Sequence, residues 1–352
     1  MIAQATGVQP PIVGGRTRAY LEFIAAVVFY LVARTVAHHG AEGLANDAWN
    51  PLVEQAMMLF LLVLGFAALG FVFDRQKHPV SDQGLTMRKG WVEEAGLGIA
   101  VGWGAAIACV LPMALFGGIA IVLSTDRTTW GWLIADTAFF ALAAMVEEVT
   151  FRGYAFQRFV AVLGPVGASL SFAAFYGVFQ ALQPGETRLS ALVAVVLSLL
   201  LSIAYLRTRA LWVSWGLNFG WKASRALIFG LTVSGVSSHS SIVEGDPMGP
   251  LWMTGGGYGL DGSWLALLVL LGAFPVLYRV TRELDFRYNV PVFVPAGIPV
   301  DLETAARRQH EAAMGAAEPA AAALVQILPV SPTQPANGAG EAPQSELEPR
   351  SE

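Results

Sequence analysis

The feature that most limits the fold of this chain is a series of long apolar stretches. A bilayer core about 30 Å thick needs about 20 apolar residues in helical form. Eight stretches meet this need: residues 19–37, 51–73, 91–123, 130–151, 165–182, 189–206, 211–232 and 264–281. The third is overlong, so we expect a membrane-surface turn near residues 90–98 or a steep tilt. The sequence predicts an all-α, polytopic membrane protein with about eight transmembrane helices.

The composition agrees with a membrane protein and argues against a soluble domain. Only 13% of the residues are charged, whereas soluble domains have about 25%. With a net charge of −5 and no strongly basic region, nothing in the sequence predicts nucleic-acid binding. The single cysteine, Cys109, excludes an internal disulfide and is expected to pack within an apolar span.

The distribution of Lys and Arg predicts how the chain is oriented, because cytoplasmic loops are enriched in these residues. One set of span ends carries Arg16, Arg18, Arg75, Lys77, Arg88, Lys89, Arg158, Arg207, Arg209, Arg279, Arg282 and Arg287. The opposite set carries only Arg34, Arg127 and Arg188. We therefore expect an integral protein of the cell (cytoplasmic) membrane, surrounded by lipid, with both termini cytoplasmic.

Composition also divides the chain into three parts. Residues 1–18 form a short leader that is predicted to be disordered, and residues 19–282 form the eight-span membrane domain. Residues 302–352 are rich in Ala, Pro and Glu and lack the apolar content of a folded core, which predicts a disordered cytoplasmic tail.

Two pairs of glycines predict close contacts between helices. Gly98 and Gly102, and also Gly216 and Gly220, are four residues apart, and this spacing allows two helix backbones to approach closely. For the first pair, the general abundance of glycine in membrane helices is an equally good explanation. The second pair lies on either side of Asn218.

The most unusual polar stretch is AMVEEVTFRGYAFQRF, residues 144–159. Ionisable side chains inside a span cost about 2.5 to 3.5 kcal/mol on insertion scales and therefore suggest a function. Glu148 and Arg152 have the four-residue spacing of a local ion pair. Glu147 points about 100° away from Glu148, so the two should not share a partner, and Glu147 is left free to act as a general base. The alternative is that both acids lie hydrated and inert at the end of the span.

Three other acidic residues lie near predicted span ends. Glu54 is four residues into the second span, and Glu93 and Glu94 begin the third. We expect all three to occupy the membrane interface.

The stretch EEVTFRG is similar to the E-E-x-x-x-R motif, usually followed by Gly, of the CPBP family of CAAX-protease and bacteriocin-processing intramembrane peptidases. SFAAFYGVFQALQP resembles the second motif of that family, in which an aromatic residue is followed four positions later by His. AYLRTRALWVSWGLNFGWKAS resembles the third, which has His and, four positions later, Asn or Asp. The resemblance covers a core of residues 130–232.

This resemblance implies an intramembrane endopeptidase, a hydrolase that cleaves a membrane-associated or prenylated peptide. Glu147 would activate water together with the second-motif His, and Glu148 and Arg152 would organise the site. The third-motif His and Asn would hold the substrate carbonyl. The family is often called metalloprotease, but the resemblance favours a glutamate mechanism, and we expect neither a metal nor another cofactor.

The chain departs from the family at three positions. Gln180 replaces the second-motif His, Asn218 the third-motif His, and Lys222 the Asn or Asp. The five histidines, His38, His39, His78, His239 and His310, fall in predicted loops or the tail and cannot substitute. Gln cannot take up a proton near neutral pH as His does, whereas Asn218 could still serve as an oxyanion donor.

Lys222 bears most directly on activity. If it faces the two glutamates, it should pair with Glu147 or Glu148, weaken the acid as a base and repel a metal cation. Four hypotheses remain open: an inactive binding or regulatory protein, a divergent active peptidase, a peptidase with Lys222 as base and Glu147 as acid, and a small-solute transporter. The partner would be a peptide or lipidated protein, and the sequence leaves open whether the chain is an enzyme.

Overall fold

Helices dominate the computed structural model, which describes residues 15–123, 127–183, 185–235, 243–289, 292–293 and 299–300. The predicted tail, and the leader up to residue 14, lie outside these ranges. The helices are α1 (Gly15–Leu44), α2 (Asn50–Asp74), α3 (Pro79–Asp82), α4 (Trp91–Leu115), α5 (Arg127–Arg152), α6 (Tyr154–Ala181), α7 (Arg188–Thr208), α8 (Trp212–Ala223), α9 (Leu251–Thr254), α10 (Trp264–Val280) and α11 (Arg282–Asn289).

The remaining elements are short. They are a π-helical turn at Ser224–Ile228, two 3-10 turns at Gly256–Tyr258 and Leu260–Gly262, and strands β1 (Ile119–Leu123), β2 (Val243–Pro247), β3 (Val292–Phe293) and β4 (Pro299–Val300). Strands β1 and β2 pair antiparallel, with Ile119 opposite Pro247.

The all-α, polytopic architecture is confirmed. Within the described residues, five helical segments are long and apolar enough to cross a membrane, or six if the bent pair α10 and α11 is counted as one. One segment, Trp130–Ala181, is 52 residues long and contains both α5 and α6. The seventh predicted span consists of α8, with 12 residues, and the π-helical turn at Ser224–Ile228 that follows it directly.

The third predicted span ends earlier than expected. Helix α4 starts directly after Gly90, whose φ of 95° suits glycine, and it continues without a break through residues 91–98. It ends at Leu115, and the following residues leave the helix at Gly117 and form β1. The expected surface turn within residues 90–98 is therefore wrong, because the extra apolar residues belong to a strand.

The fifth predicted span, residues 165–182, matches the second part of α6, and a further helical part precedes it. Helix α6 begins at Tyr154 and bends at Gly164, which has a φ of 75° and precedes Pro165. Two polar side chains in this first part have partners on other segments. Arg158 Nη1 lies 2.8 Å from Asp74 Oδ1, and Gln157 Nε2 donates to the Tyr205 hydroxyl at 2.8 Å.

One of the three acids predicted to be interfacial is buried. Glu94 is only 3% exposed and accepts two hydrogen bonds from Arg88, at 3.0 Å and 2.7 Å. The Tyr288 hydroxyl, from α11, is 3.2 Å from the same carboxylate. Glu93 is exposed, as expected. Since Glu94 directly follows Glu93 in the helix, local sequence did not show which of the two turns inward.

Helices α4 and α8 make the close backbone contact that the glycine spacing predicted. A Cβ atom on Gly98 or Gly102 would collide with the carbonyl oxygen of Val213 or Leu217 on α8. A Cβ on Gly216 would likewise collide with the carbonyl oxygen of Ala95. The contact therefore depends on small residues from both helices, and it fixes α8 against the centre of the bundle.

We expect Gly102→Ala to destabilise the protein by about 1 to 3 kcal/mol, because the added methyl group meets backbone that cannot move aside easily. Gly104→Ala in the same helix is the matched control, since nothing lies within 4 Å of its added Cβ. The control should be neutral or stabilising by up to about 1 kcal/mol. Thermal unfolding of both variants in detergent measures the difference, and equal melting temperatures would contradict the close contact.

Candidate active site

Helix α5 places Glu148 and Arg152 inside the protein. Both side chains are 0% exposed, and Arg152 Nη1 lies 3.5 Å from Glu148 Oε1, which confirms the predicted ion pair. Arg152 Nη2 also donates to the carbonyl oxygen of Ser198 at 2.9 Å and to its hydroxyl at 2.8 Å. Arg152 therefore stabilises the carboxylate and joins α5 to α7.

Glu147 forms an ion pair with Lys222 of α8, through its Oε1 and the lysine Nζ. Its other oxygen, Oε2, accepts hydrogen bonds from Asn218 Nδ2 at 2.9 Å and from the Tyr176 hydroxyl at 3.2 Å. Asn218 and Lys222 are one turn apart and therefore reach α5 from the same face of α8. The predicted contact between Lys222 and a glutamate is confirmed, with Glu147 as its partner.

Asn218 contacts both glutamates, which we did not expect. Its Nδ2 is 2.9 Å from Glu147 Oε2 and 3.2 Å from Glu148 Oε1. The expectation that adjacent glutamates cannot share a partner is wrong here, because one amide nitrogen carries two hydrogens that point in different directions. Asn218 is fully buried and holds the two carboxylates together.

Tyr176 is a site residue that the sequence interpretation missed. It lies on α6, one turn before Gln180, and its ring packs edge-on against Phe151 with 4.9 Å between the ring centroids. Its hydroxyl donates to Glu147. The aromatic residue four positions before the expected His is part of the second motif, so the motif itself contained a signal for this contact.

Glu147 borders a cavity of about 340 Å³, whereas Glu148 is fully buried. Glu147, Lys222 and Gln180 all line this cavity. The structure therefore brings the reactive acid, Glu147, together with two residues that depart from the family motifs. Much of the remaining wall is aromatic and comes from α5 and α6: Phe139, Phe140, Phe151 and Phe179. A polar floor with aromatic walls suits a ligand that has both a peptide group and an apolar part.

The far part of the cavity is lined by polar residues of α1 and α2: Tyr30, Arg34, Glu54 and Gln55. Glu54, near the start of α2, therefore belongs to the cavity lining. His38 Nδ1 is 3.2 Å from Glu54 Oε2. His38 and His39 are exposed, as expected, but they lie in α1 and not in a loop, because this helix continues to Leu44.

The residues of the site do not fit a bound metal cation. In the described ranges, no three His, Cys, Asp or Glu side chains are grouped in a way that could hold a metal ion. Asn218 and Lys222 direct hydrogen-bond donors at the carboxylate oxygens that would otherwise serve as ligands. We therefore assign no step of the chemistry to a metal.

A second cation in the same segment faces away from the site. Arg225, in the π-helical turn, is fully buried, and its Nη1 lies 2.8 Å from Asp261 Oδ1. Its Nε donates to the carbonyl oxygen of Trp221 at 2.9 Å. Arg225 therefore links α8 to the 3-10 turn that contains Asp261, and only Lys222 of these two cations contacts the glutamates.

A search of protein families agrees with these motifs. Residues 127–224 match the family described as type II CAAX prenyl endopeptidase Rce1-like. No curated protein and no solved structure shows a significant match to the chain. The matched segment contains Glu147, Glu148, Arg152, Gln180, Asn218 and Lys222. Over residues 127–224, this apolar, helical chain is therefore similar to the type II CAAX prenyl endopeptidase Rce1-like family, which supports its resemblance to the CPBP peptidases.

Proposed function

We propose that this protein binds the C-terminal segment of a membrane-associated or prenylated peptide in the Glu147 cavity, and that its native site does not hydrolyse the bound peptide. The observation that carries this proposal is the ion pair between Glu147 and Lys222. The family match supports the class of ligand, since CAAX prenyl endopeptidases act on such peptides.

The contacts of Glu147 explain why hydrolysis is not expected. A general base needs a free oxygen that can take a proton from water. One oxygen of Glu147 is paired with Lys222, and the other accepts from Asn218 and Tyr176. Gln180, at the position of the family His, cannot take the proton instead.

The amide that could stabilise an oxyanion, that of Asn218, is also engaged in hydrogen bonds within the protein. Asn218 is buried, and its amide nitrogen already donates to Glu147 and Glu148. An amide that stabilises a developing oxyanion has to point at the reacting carbonyl. Asn218 in this arrangement therefore organises the carboxylates, and it would have to break two hydrogen bonds to serve a substrate.

The second candidate function is a divergent, active endopeptidase. It is favoured by the partial exposure of the reactive pair, since the side chains of Glu147 and Lys222 are 24% and 11% exposed and both line the cavity. A peptide and a water molecule could therefore reach them. In this case Lys222 in its neutral form, or Glu147, would take the proton of the attacking water.

For the membrane and its orientation we propose the cell membrane, with the N-terminus on the cytoplasmic side. The enrichment of Lys and Arg at alternate helix ends supports this. Several of those cations form ion pairs at their helix ends, among them Arg158 with Asp74 and Arg207 with Asp285.

Full-length protein in lipid nanodiscs, mixed with a fluorogenic farnesylated peptide, tests the proposal. We expect binding, seen as increased fluorescence anisotropy, without cleavage over hours. If the native protein cleaves the peptide, and Glu147→Gln loses this activity while Glu93→Gln keeps it, the second candidate is correct. Glu93 is a suitable control because it is exposed and does not line the cavity. A lack of both binding and cleavage would contradict both candidates.

A further inference from the structure

Arg34 is a charged side chain that the proposed function does not yet use. It lies within α1, a helix apolar enough to cross a membrane, and it lines the same cavity as Glu147. An arginine inside a span costs about 2.5 to 3.5 kcal/mol on insertion scales, so its presence needs a compensating interaction.

The acidic groups of the cavity do not supply this interaction. Across the described ranges, no carboxylate lies within ion-pair distance of Arg34. Glu147 is paired with Lys222, and Glu54 lies 3.2 Å from His38. The guanidinium instead interacts with the Tyr30 hydroxyl and lies 5.8 Å from the centroid of the Phe179 ring. The side chain is exposed, so a ligand in the cavity can reach it.

The position of Arg34 relative to Glu147 suits a peptide end. Tyr30 lies one turn before Arg34 on α1, and it interacts electrostatically with both Arg34 and Glu147. Both Arg34 and Glu147 line the cavity. A CAAX sequence ends three residues after its cysteine, and three extended residues span about 10 Å. Because both side chains line one cavity, a peptide whose backbone lies beside Glu147 could place its terminal carboxylate at Arg34.

We propose that Arg34 binds the C-terminal carboxylate of the peptide in the cavity and so selects ligands with a free carboxyl end. This inference rests on the proposed peptide-binding function. Arginine is suited to the role because its planar guanidinium donates two parallel hydrogen bonds to a carboxylate and stays charged in an apolar environment. The phosphate of an anionic lipid has similar chemistry and is the alternative occupant.

Two farnesylated peptides test the assignment, one with a free C-terminal carboxylate and an otherwise identical one with a C-terminal carboxamide. Their affinities are measured by fluorescence anisotropy for full-length protein in nanodiscs of neutral phosphatidylcholine. The native protein should bind the acid at least about tenfold more tightly than the amide. Arg34→Gln should bind both peptides about equally, and Arg34→Lys should keep part of the preference.

Arg188→Gln is the matched control, because Arg188 is an exposed arginine that does not line the cavity. It should keep the full preference for the acid. A native protein that binds acid and amide equally, or an Arg34→Gln variant that keeps the preference, would overturn the inference while leaving peptide binding intact. If neither peptide binds, the proposed function fails and this inference fails with it.

A second arm separates the peptide from the lipid. The same measurements are made in nanodiscs that contain anionic phosphatidylglycerol. We expect the preference for the acid to persist there. If the anionic lipid abolishes the preference of the native protein and has no effect on Arg34→Gln, Arg34 binds the lipid phosphate and the peptide assignment is wrong.

Discussion

The combined variant Gln180→His/Asn218→His/Lys222→Asn is expected to cleave a farnesylated peptide that the native protein leaves intact. The three changes place the family residues at the positions that depart from the motifs. Removal of Lys222 frees one oxygen of Glu147, and a His at position 180 supplies a group that can take up a proton near neutral pH. Since general acid–base catalysis typically contributes about 10²- to 10⁴-fold, we expect a rate at least about 100-fold above that of the native protein.

A fluorogenic peptide assay measures this gain, with the same variant carrying Glu147→Gln as the control. The control should be inactive, because it lacks the carboxylate that activates water. Lys222→Asn alone separates the effect of the ion pair from that of the missing histidines. A folded, peptide-binding triple variant without any cleavage would show that the native site differs from an active one in more than these residues.

Arg152→Met is expected to cause the largest loss of stability among single changes at the site. The substitution leaves Glu148 fully buried without its cation, and removal of one partner of a buried ion pair typically costs about 3 to 5 kcal/mol. It also removes the two hydrogen bonds to Ser198 that join α5 to α7. Chemical denaturation in detergent measures the change in the free energy of unfolding.

The double variant Arg152→Met/Glu148→Gln distinguishes the ion pair from simple packing. It should be more stable than Arg152→Met alone, because no unpaired charge then remains in the interior. Arg188→Met provides a comparison at an exposed arginine and should change stability little. If Arg152→Met unfolds no more readily than Arg188→Met, Arg152 does not support the site in the way its contacts indicate.

The sequence predicted the helical membrane architecture well, because apolar length is a local property. It did not predict where helices end when apolar residues continue into a strand, as after Leu115, since a strand and a helix can have the same hydropathy. It also missed the first part of α6. Arg158 and Gln157 look unsuitable for a buried helix until their partners on other segments are known.

Motif spacing predicts which site residues lie on the same face of a helix, and this part of the site was predictable. The pairing of Glu148 with Arg152 follows from one helix, and the contact of Lys222 with Glu147 follows once two helices are assumed to pack. The contact of Asn218 with both glutamates depends on the exact position of α8 relative to α5, and the spacing of residues in the sequence does not define this position. The cavity position of Glu54 depends in the same way on α2.

The glycines of α8 that contact α4 and the residues of α8 that contact the glutamates lie on different sides of the helix. Residues two positions apart in a helix point about 200° apart, so Asn218 and Lys222 lie almost opposite Gly216 and Gly220. The side of α8 without side chains sets its position, and the opposite side supplies the groups that meet the glutamates. We therefore expect substitutions at positions 218 and 222 to change the groups that meet the glutamates while the glycine contact keeps α8 in its position against α4.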